Sequence, residues 1–252
     1  MIDAEVREDD RLRPLWDFLD LDATEVRLRA ALDGEDTDSG SAEVMTQLAR
    51  LESLRANFAE AHRLLDEAEE LAGGSRIVEL RLLLERGRVL RLAGDAASAL
   101  PFFKSAYETA VSAGSHFIAA DAAHMCALVE DPVRWTERGL VLADRYEAAS
   151  HWRGTLLLNL GRWQMEQGEY EEALPALEAA LAARERDSQH PQIRELARYN
   201  LALCLRGLGR DDEALPLLRL VNEWAADANF THPEAAAFRA ELAAVTEAIR
   251  SD

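Results

Sequence analysis

Three arginines stand in one frame in this sequence: Arg50, Arg88 and Arg162 each follow a bulky apolar residue, Met45, Leu83 and Leu157, by five positions. Arg91 and Arg206 fall three positions later in the same frame. A guanidinium is a planar fork of donors that matches a carboxylate, so a row of them suits an acidic ligand. Asn159 and Asn200 occupy the adjacent position, with Tyr199 beside the latter. A carboxamide offers the main chain of an extended peptide a donor and an acceptor together. The competing assignment is local: each arginine pairs with a glutamate of its own segment, such as Glu85 or Glu166, on an ordinary solvated face.

Other chemistries find less support. The sequence has no GxSxG, Walker loop or HExxH and no legible nucleophile–base pair, so no catalytic residue and no enzymatic activity are expected. His116, His151, His190 and His232 recur at segment junctions, but stacked helices lie about 8–10 Å apart while zinc needs each nitrogen at about 2 Å. Asp121 and His124, at i and i+3, share a face and read as a structural hydrogen bond. Cys126 and Cys204 lack CxxC spacing and read as reduced core thiols. Neither a metal nor a cofactor is expected.

The 252 residues carry 28 Lys and Arg against 47 Asp and Glu, a formal net charge of -19. That balance argues against nucleic-acid and anionic-membrane partners, both of which need an exposed basic surface. Lys104 is the sole lysine, a bias attributed to base composition. The opening MIDAEVREDD lacks the order of a signal peptide, and no apolar run approaches the roughly 18 residues of a span, so a soluble, cytoplasmic protein is expected.

The elements that must position these residues are written as repeats. Leu157-x2-Leu160-Gly161, then Gly168, then Ala173-x3-Leu177-x2-Ala180 recurs as Arg198-x2-Leu201-Ala202, Gly209, Ala214-x3-Leu218-x2-Val221, at a constant offset of 41. Bulky residues fill a seam between two helices and small ones let them approach, the grammar of a helix–turn–helix repeat. Weaker copies run from Met45 to Ala68 and from Leu83 to Ala106. A degenerate third unit fills about 113–149, its second helix opened by Asp131 as N-cap and Pro132 in the first turn. Asn57, Gly94, Gly168 and Gly209 share the register where a left-handed residue ends the first helix of each pair.

Three divisions follow. Residues 1–41 hold two short helices, Leu12 to Leu21 and Ala23 to Leu32, the second opened by an Asp22/Glu25 capping box, and a flexible acidic linker from Gly34 to Ser41. Residues 42–228 hold five repeats. Residues 229–252 form a capping helix over 233–250 with one apolar stripe, Phe238, Leu242, Val245 and Ile249.

The pattern resembles the tetratricopeptide repeat (TPR), W-x2-L-G-x2-Y then A-x3-F, with Leu in place of most aromatics. Within that group His190–Ile193, Tyr199–Ala202 and Leu181–Glu185 are most similar to the 42-residue repeats of kinesin light chains. The resemblance implies an all-α fold: a TPR-like α-solenoid, a right-handed superhelix of about five helix–turn–helix pairs with N- and C-terminal capping helices. It also implies that the first helix of each pair lines a concave peptide-binding groove. Those first helices carry 11 Arg against 7 acids, while the second helices carry 8 basic against 20 acidic residues. The implied groove is therefore biased positive and would be lined by Arg50, Arg88, Arg91, Asn159, Arg162, Tyr199, Asn200 and Arg206.

The resemblance implies a protein–protein interaction scaffold or adaptor whose partner is a protein or an acidic peptide. It does not imply a motor partner, because the heptad segment that joins such chains to the motor is absent. Since kinesin-light-chain-like grooves accept a tryptophan beside an acid, Leu15, Trp16, Asp17 and Phe18 form a candidate segment for docking in cis; the alternative is a cap that packs Trp16, Phe18 and Leu19 on the first repeat. Two further readings are a self-associating, homo-oligomeric structural protein and a peptide-responsive regulatory sensor.

Overall fold

The computed structural model describes residues 11–18, 20–185, 191–227 and 234–251. Among them are twelve α-helices, two short 3-10 turns and no strand. The chain divides into two compact units between Trp152 and Arg153.

The first unit contains a 3-10 turn at Arg13–Leu15 and helices α1 (Leu21–Asp33), α2 (Asp38–Leu54), α3 (Phe58–Leu71), α4 (Arg76–Leu92), α5 (Ala96–Ala113), α6 (His116–Ala127) and α7 (Pro132–Arg145). Helix α8 (Trp152–Glu166) starts at the division, and α9 (Tyr170–Glu185), α10 (Pro191–Gly207), α11 (Asp211–Asp227) and α12 (Glu234–Ser251) follow.

The expected seams are present. In four second helices the small/large/small triad is wholly buried: Ala61, Leu65, Ala68; Ala99, Phe103, Ala106; Ala173, Leu177, Ala180; Ala214, Leu218, Val221. The facing helices supply a small residue at the closest approach. A Cβ on Gly87 would lie 2.5 Å from the Phe103 ring, and one on Gly161 would lie 2.6 Å from Leu177 Cγ. In the degenerate unit Trp135 of α7 stands edge-on to Tyr107 of the preceding α5 at 5.2 Å, and its Nε1 donates to Glu130.

Local chemistry ends and starts the helices. Gly94, Gly168 and Gly209 have φ of +93°, +81° and +71°, as their turn requires. In the first pair the left-handed residue is Ala56 (φ +61°), while Asn57, expected there, has φ −84°. Asp95 and Asp131 accept hydrogen bonds from the amides of Ser98 and Arg134 as N-caps.

The N-terminal expectations need revision. No helix runs from Leu12 to Leu21; the single turn Arg13–Leu15 gives way to extended backbone at Trp16 (φ −87°, ψ 131°), which carries that side chain into the core. The cap of α1 is Asp20, which accepts from Ala23 N at 2.8 Å, and not Asp22. The second half of the expected linker, from Asp38 on, is helical, because Thr37 caps α2 by accepting from Gly40 N, and Arg11 fixes Glu35 at 2.6 Å. The division between units falls at 152/153 and not near 41. At the other end α12 forms where a helix was expected, with Phe238 and Val245 buried and Leu242 and Ile249 half-buried. The expectations for Leu19, His190 and His232 lie outside the described residues. No described helix is long and apolar enough to cross a membrane.

Candidate functional site

In the first unit the stripe Glu43, Gln47, Arg50 on α2 lies beside Arg81, Glu85, Arg88 on α4, residues spaced to share one helix face. Glu43 is held between Arg11 at 2.6 Å and Arg81 at 2.9 Å. Arg88 pairs with Glu85 at 3.1 Å and with Asp121 of α6, and donates to Met125 Sδ. These charges are interior: Arg88 is 6% and Asp121 4% exposed. Burial alone would raise the Asp121 carboxyl, but Arg88 holds it well below the usual carboxylate range. Burial pushes the neighbouring His124 imidazole down despite Asp121 at 3.9 Å. Arg88 is thus a structural cation, paired by its own Glu85 as the local assignment has it, yet buried where that assignment placed it in solvent.

Arg50 is half-buried, its guanidinium 5.0 Å from the Trp16 ring and 5.2 Å from Phe18; burial and the nearby Arg88 bring its pKa down to about 10. Arg91 makes no ion pair among the described residues, and burial with Arg88 lowers its pKa too. Trp16 is 6% exposed, packs with Leu12, Leu28, Val44, Leu48 and Leu51, and donates from Nε1 to Gln47 at 3.1 Å. Asp17 exchanges two hydrogen bonds with Thr24, and Leu15 O accepts from Arg27. Phe18 stacks on Trp16 at 4.9 Å and is 50% exposed. The segment offered for cis docking therefore has its tryptophan in the core of α1 and α2 and its phenylalanine outside.

The second unit holds an open site. Arg162, Met165 and Glu166 of α8 and Tyr170 of α9 face Asn200, Leu203, Arg206 and Gly207 of α10 and Glu241 of α12 around a cavity of about 520 Å³. Tyr170 forms part of it because α10 carries glycine opposite: a Cβ on Gly207 would lie 2.3 Å from the ring. Arg162 is exposed and makes no ion pair among the described residues, with Glu166 or any other acid. Asn200 is buried, and its Nδ2 donates to Leu196 O at 2.7 Å, which leaves Oδ1 as an acceptor. That bond takes one of the two Nδ2 hydrogens, so the carboxamide keeps both an acceptor and a donor. Arg206 is engaged by Glu241 and stands 3.5 Å from Asp211.

The structure thus gathers Arg162, Asn200 and Arg206 in one place. Tyr199 packs on Phe238 at 4.6 Å beneath α12, and Asn159 does not line the cavity. Sequence reasoning missed Tyr170 and Glu241; Gly207, small in a helix, was the available signal for the first. Among the described residues no group of three His, Cys, Asp or Glu could hold a metal. Burial pushes the Cys126 thiol up to about 12 and raises that of Cys204, which favours the protonated thiol at both.

Comparison with known proteins agrees with this architecture. The tetratricopeptide repeat family model matches residues 152–221. No curated protein matches the sequence. Among solved structures, RapI in its apo form has a TM-score of 0.69 at 14% identity, covering 98% of this chain and 71% of that one. A signal-transduction ATPase (STAND) protein with a tetratricopeptide repeat sensor from Pyrococcus horikoshii has a TM-score of 0.66 at 16% identity, covering 89% of this chain but 36% of that one. The nearly identical TPR-like repeats assigned to a kinesin light chain of Podosopora anserina have a TM-score of 0.53 at 18% identity, covering 78% of this chain and 100% of that one. The protein has an all-helical, α-solenoid fold, and its residues 152–221 match the tetratricopeptide repeat family model.

Proposed function

We propose that this protein is a non-catalytic interaction module that binds an acidic peptide or protein segment in the cavity of its 153–252 unit. The observation that carries the reading is a donor fork and a carboxamide at one cavity: Arg162 has no ion pair among the described residues, and Asn200, anchored by the bond its amide makes to Leu196, keeps Oδ1 as an acceptor. A carboxylate on Arg162 and a main-chain N–H on Asn200 would fix both the side chain and the direction of an extended chain. Met165, Leu203 and Tyr170 supply apolar contact between them. We place the protein in the cytoplasm, and the finer kinship to kinesin-light-chain repeats belongs to the same proposal. Peptide-display selection on the whole chain, repeated with Arg162→Glu and Asn200→Ser, is the test. Acidic sequences that bind the native chain and lose at least tenfold on Arg162→Glu are expected; selected peptides indifferent to both changes would remove the cavity from consideration.

A further inference from the structure

We propose that α12 is a latch on this cavity, with Glu241 occupying the place that an acidic residue of the ligand takes on Arg206. The inference rests on the peptide-binding reading of the same site and adds its regulation.

The geometry is that of an internal substitute. Arg206 projects from α10 into the cavity that Arg162 and Asn200 line, and Glu241 of α12 closes the same cavity from the other side. The Glu241 carboxylate accepts from Arg206 Nη1, the charge-assisted contact a ligand carboxylate would make. Arg206 is not saturated by it. A guanidinium has five N–H donors, yet Nε is buried without a hydrogen-bond partner, since Asp211 at 3.5 Å gives an ion pair but no hydrogen bond. A carboxylate arriving on Arg162 finds a second, incompletely satisfied cation whose present partner is exchangeable for itself.

The rest of α12 is held along one face, with Phe238 and Val245 buried. One apolar stripe seats Phe238 against Val221 and Ala225 of α11 and against Tyr199, and Asn222 Nδ2 donates to Phe238 O at 3.0 Å. The Arg206–Glu241 contact is one of those that hold this helix, and ligand binding and helix docking compete for one cation. Two consequences follow by linkage: α12 lowers the apparent affinity for acidic ligands, and an acidic ligand loosens α12. A peptide lacking carboxylates would do neither.

The experiment uses the whole chain and two fluorescein-labelled hexapeptides, one of alternating Glu and Leu and one of alternating Gln and Leu. Binding is read by anisotropy for the native chain, Glu241→Gln and Arg162→Glu, and amide hydrogen exchange along α12 is read with and without peptide. The Glu peptide is expected to bind Glu241→Gln about tenfold more tightly than the native chain and to bind Arg162→Glu at least tenfold more weakly. It should also accelerate exchange in α12 of the native chain, whereas the Gln peptide should not. If Arg162→Glu weakens binding but Glu241→Gln does not strengthen it, or if the Glu peptide protects α12, the latch is wrong while the cavity stands. If the Glu peptide binds Arg162→Glu as well as the native chain, or binds none of the three, the acidic-peptide reading fails and the latch falls with it.

Discussion

Arg88 and Arg162 occupy the same position in their repeats and lead opposite lives. In the first unit, α6 brings Asp121 against Arg88, α4 adds Glu85, and the resulting charges are buried and mutually neutralised. In the second, α10 brings Leu203 and Asn200 to the cavity that Arg162 lines, and that cation remains exposed. A repeat register fixes where a charge points but not what it meets. The neighbouring helix decides whether the charge becomes part of the interior or stays available to a ligand.

The largest effect that would break this contrast belongs to Arg88. Arg88→Met leaves Glu85 and Asp121 buried without their cation, and breaking such a pair costs about 3–5 kcal/mol. Urea unfolding should show that loss; a change within about 0.5 kcal/mol, as for an ordinary surface site, would mean that the first unit's network is not structural.

An effect of intermediate size concerns pH. The His124 pKa is depressed in the folded chain, so its contribution to stability is fully present above the unfolded value of about 6.5 and is lost as pH falls through the folded value. The Asp121 carboxyl is depressed as well, and its contribution disappears only on more extreme acidification. Melting temperature followed below pH 6.5 should therefore fall for the native chain and flatten for His124→Gln; parallel curves would place His124 outside the titrating set.

The smallest expected change is in the second unit. Arg162→Glu removes an exposed cation that has no ion pair among the described residues, and should leave unfolding within about 0.5 kcal/mol of the native chain while weakening acidic peptides. A stability loss comparable to that of Arg88→Met would erase the distinction between the two inner faces.

Much of the scaffold was legible because it rests on short-range rules. The A-x3-L or A-x3-F seams, the glycine turns at Gly94, Gly168 and Gly209 and the Asp131–Pro132 helix start all depend on a few consecutive residues. The N-terminus was misread where a distant partner overrode local preference. Trp16 leaves helical backbone for a core formed with Leu28 and Leu48, and Thr37 with the Arg11–Glu35 pair turns an apparently flexible stretch into the start of α2. The first turn likewise placed its left-handed residue at Ala56 and not Asn57.

The candidate site divides along the same line. Helical periodicity by itself determined that Arg50, Arg88, Arg162, Asn200 and Arg206 belong to first helices, because a 3.6-residue repeat with invariant small positions fixes the face each one occupies. Only the tertiary structure decided which of them is spent. Pairing of Arg88 with Asp121, of Arg50 with the ring of Trp16, and of Arg206 with Glu241 spans 33, 34 and 35 residues of sequence. A charge is neutralised by whatever lies within a few ångströms of it in space, and that distance is set by packing, not by position in the chain.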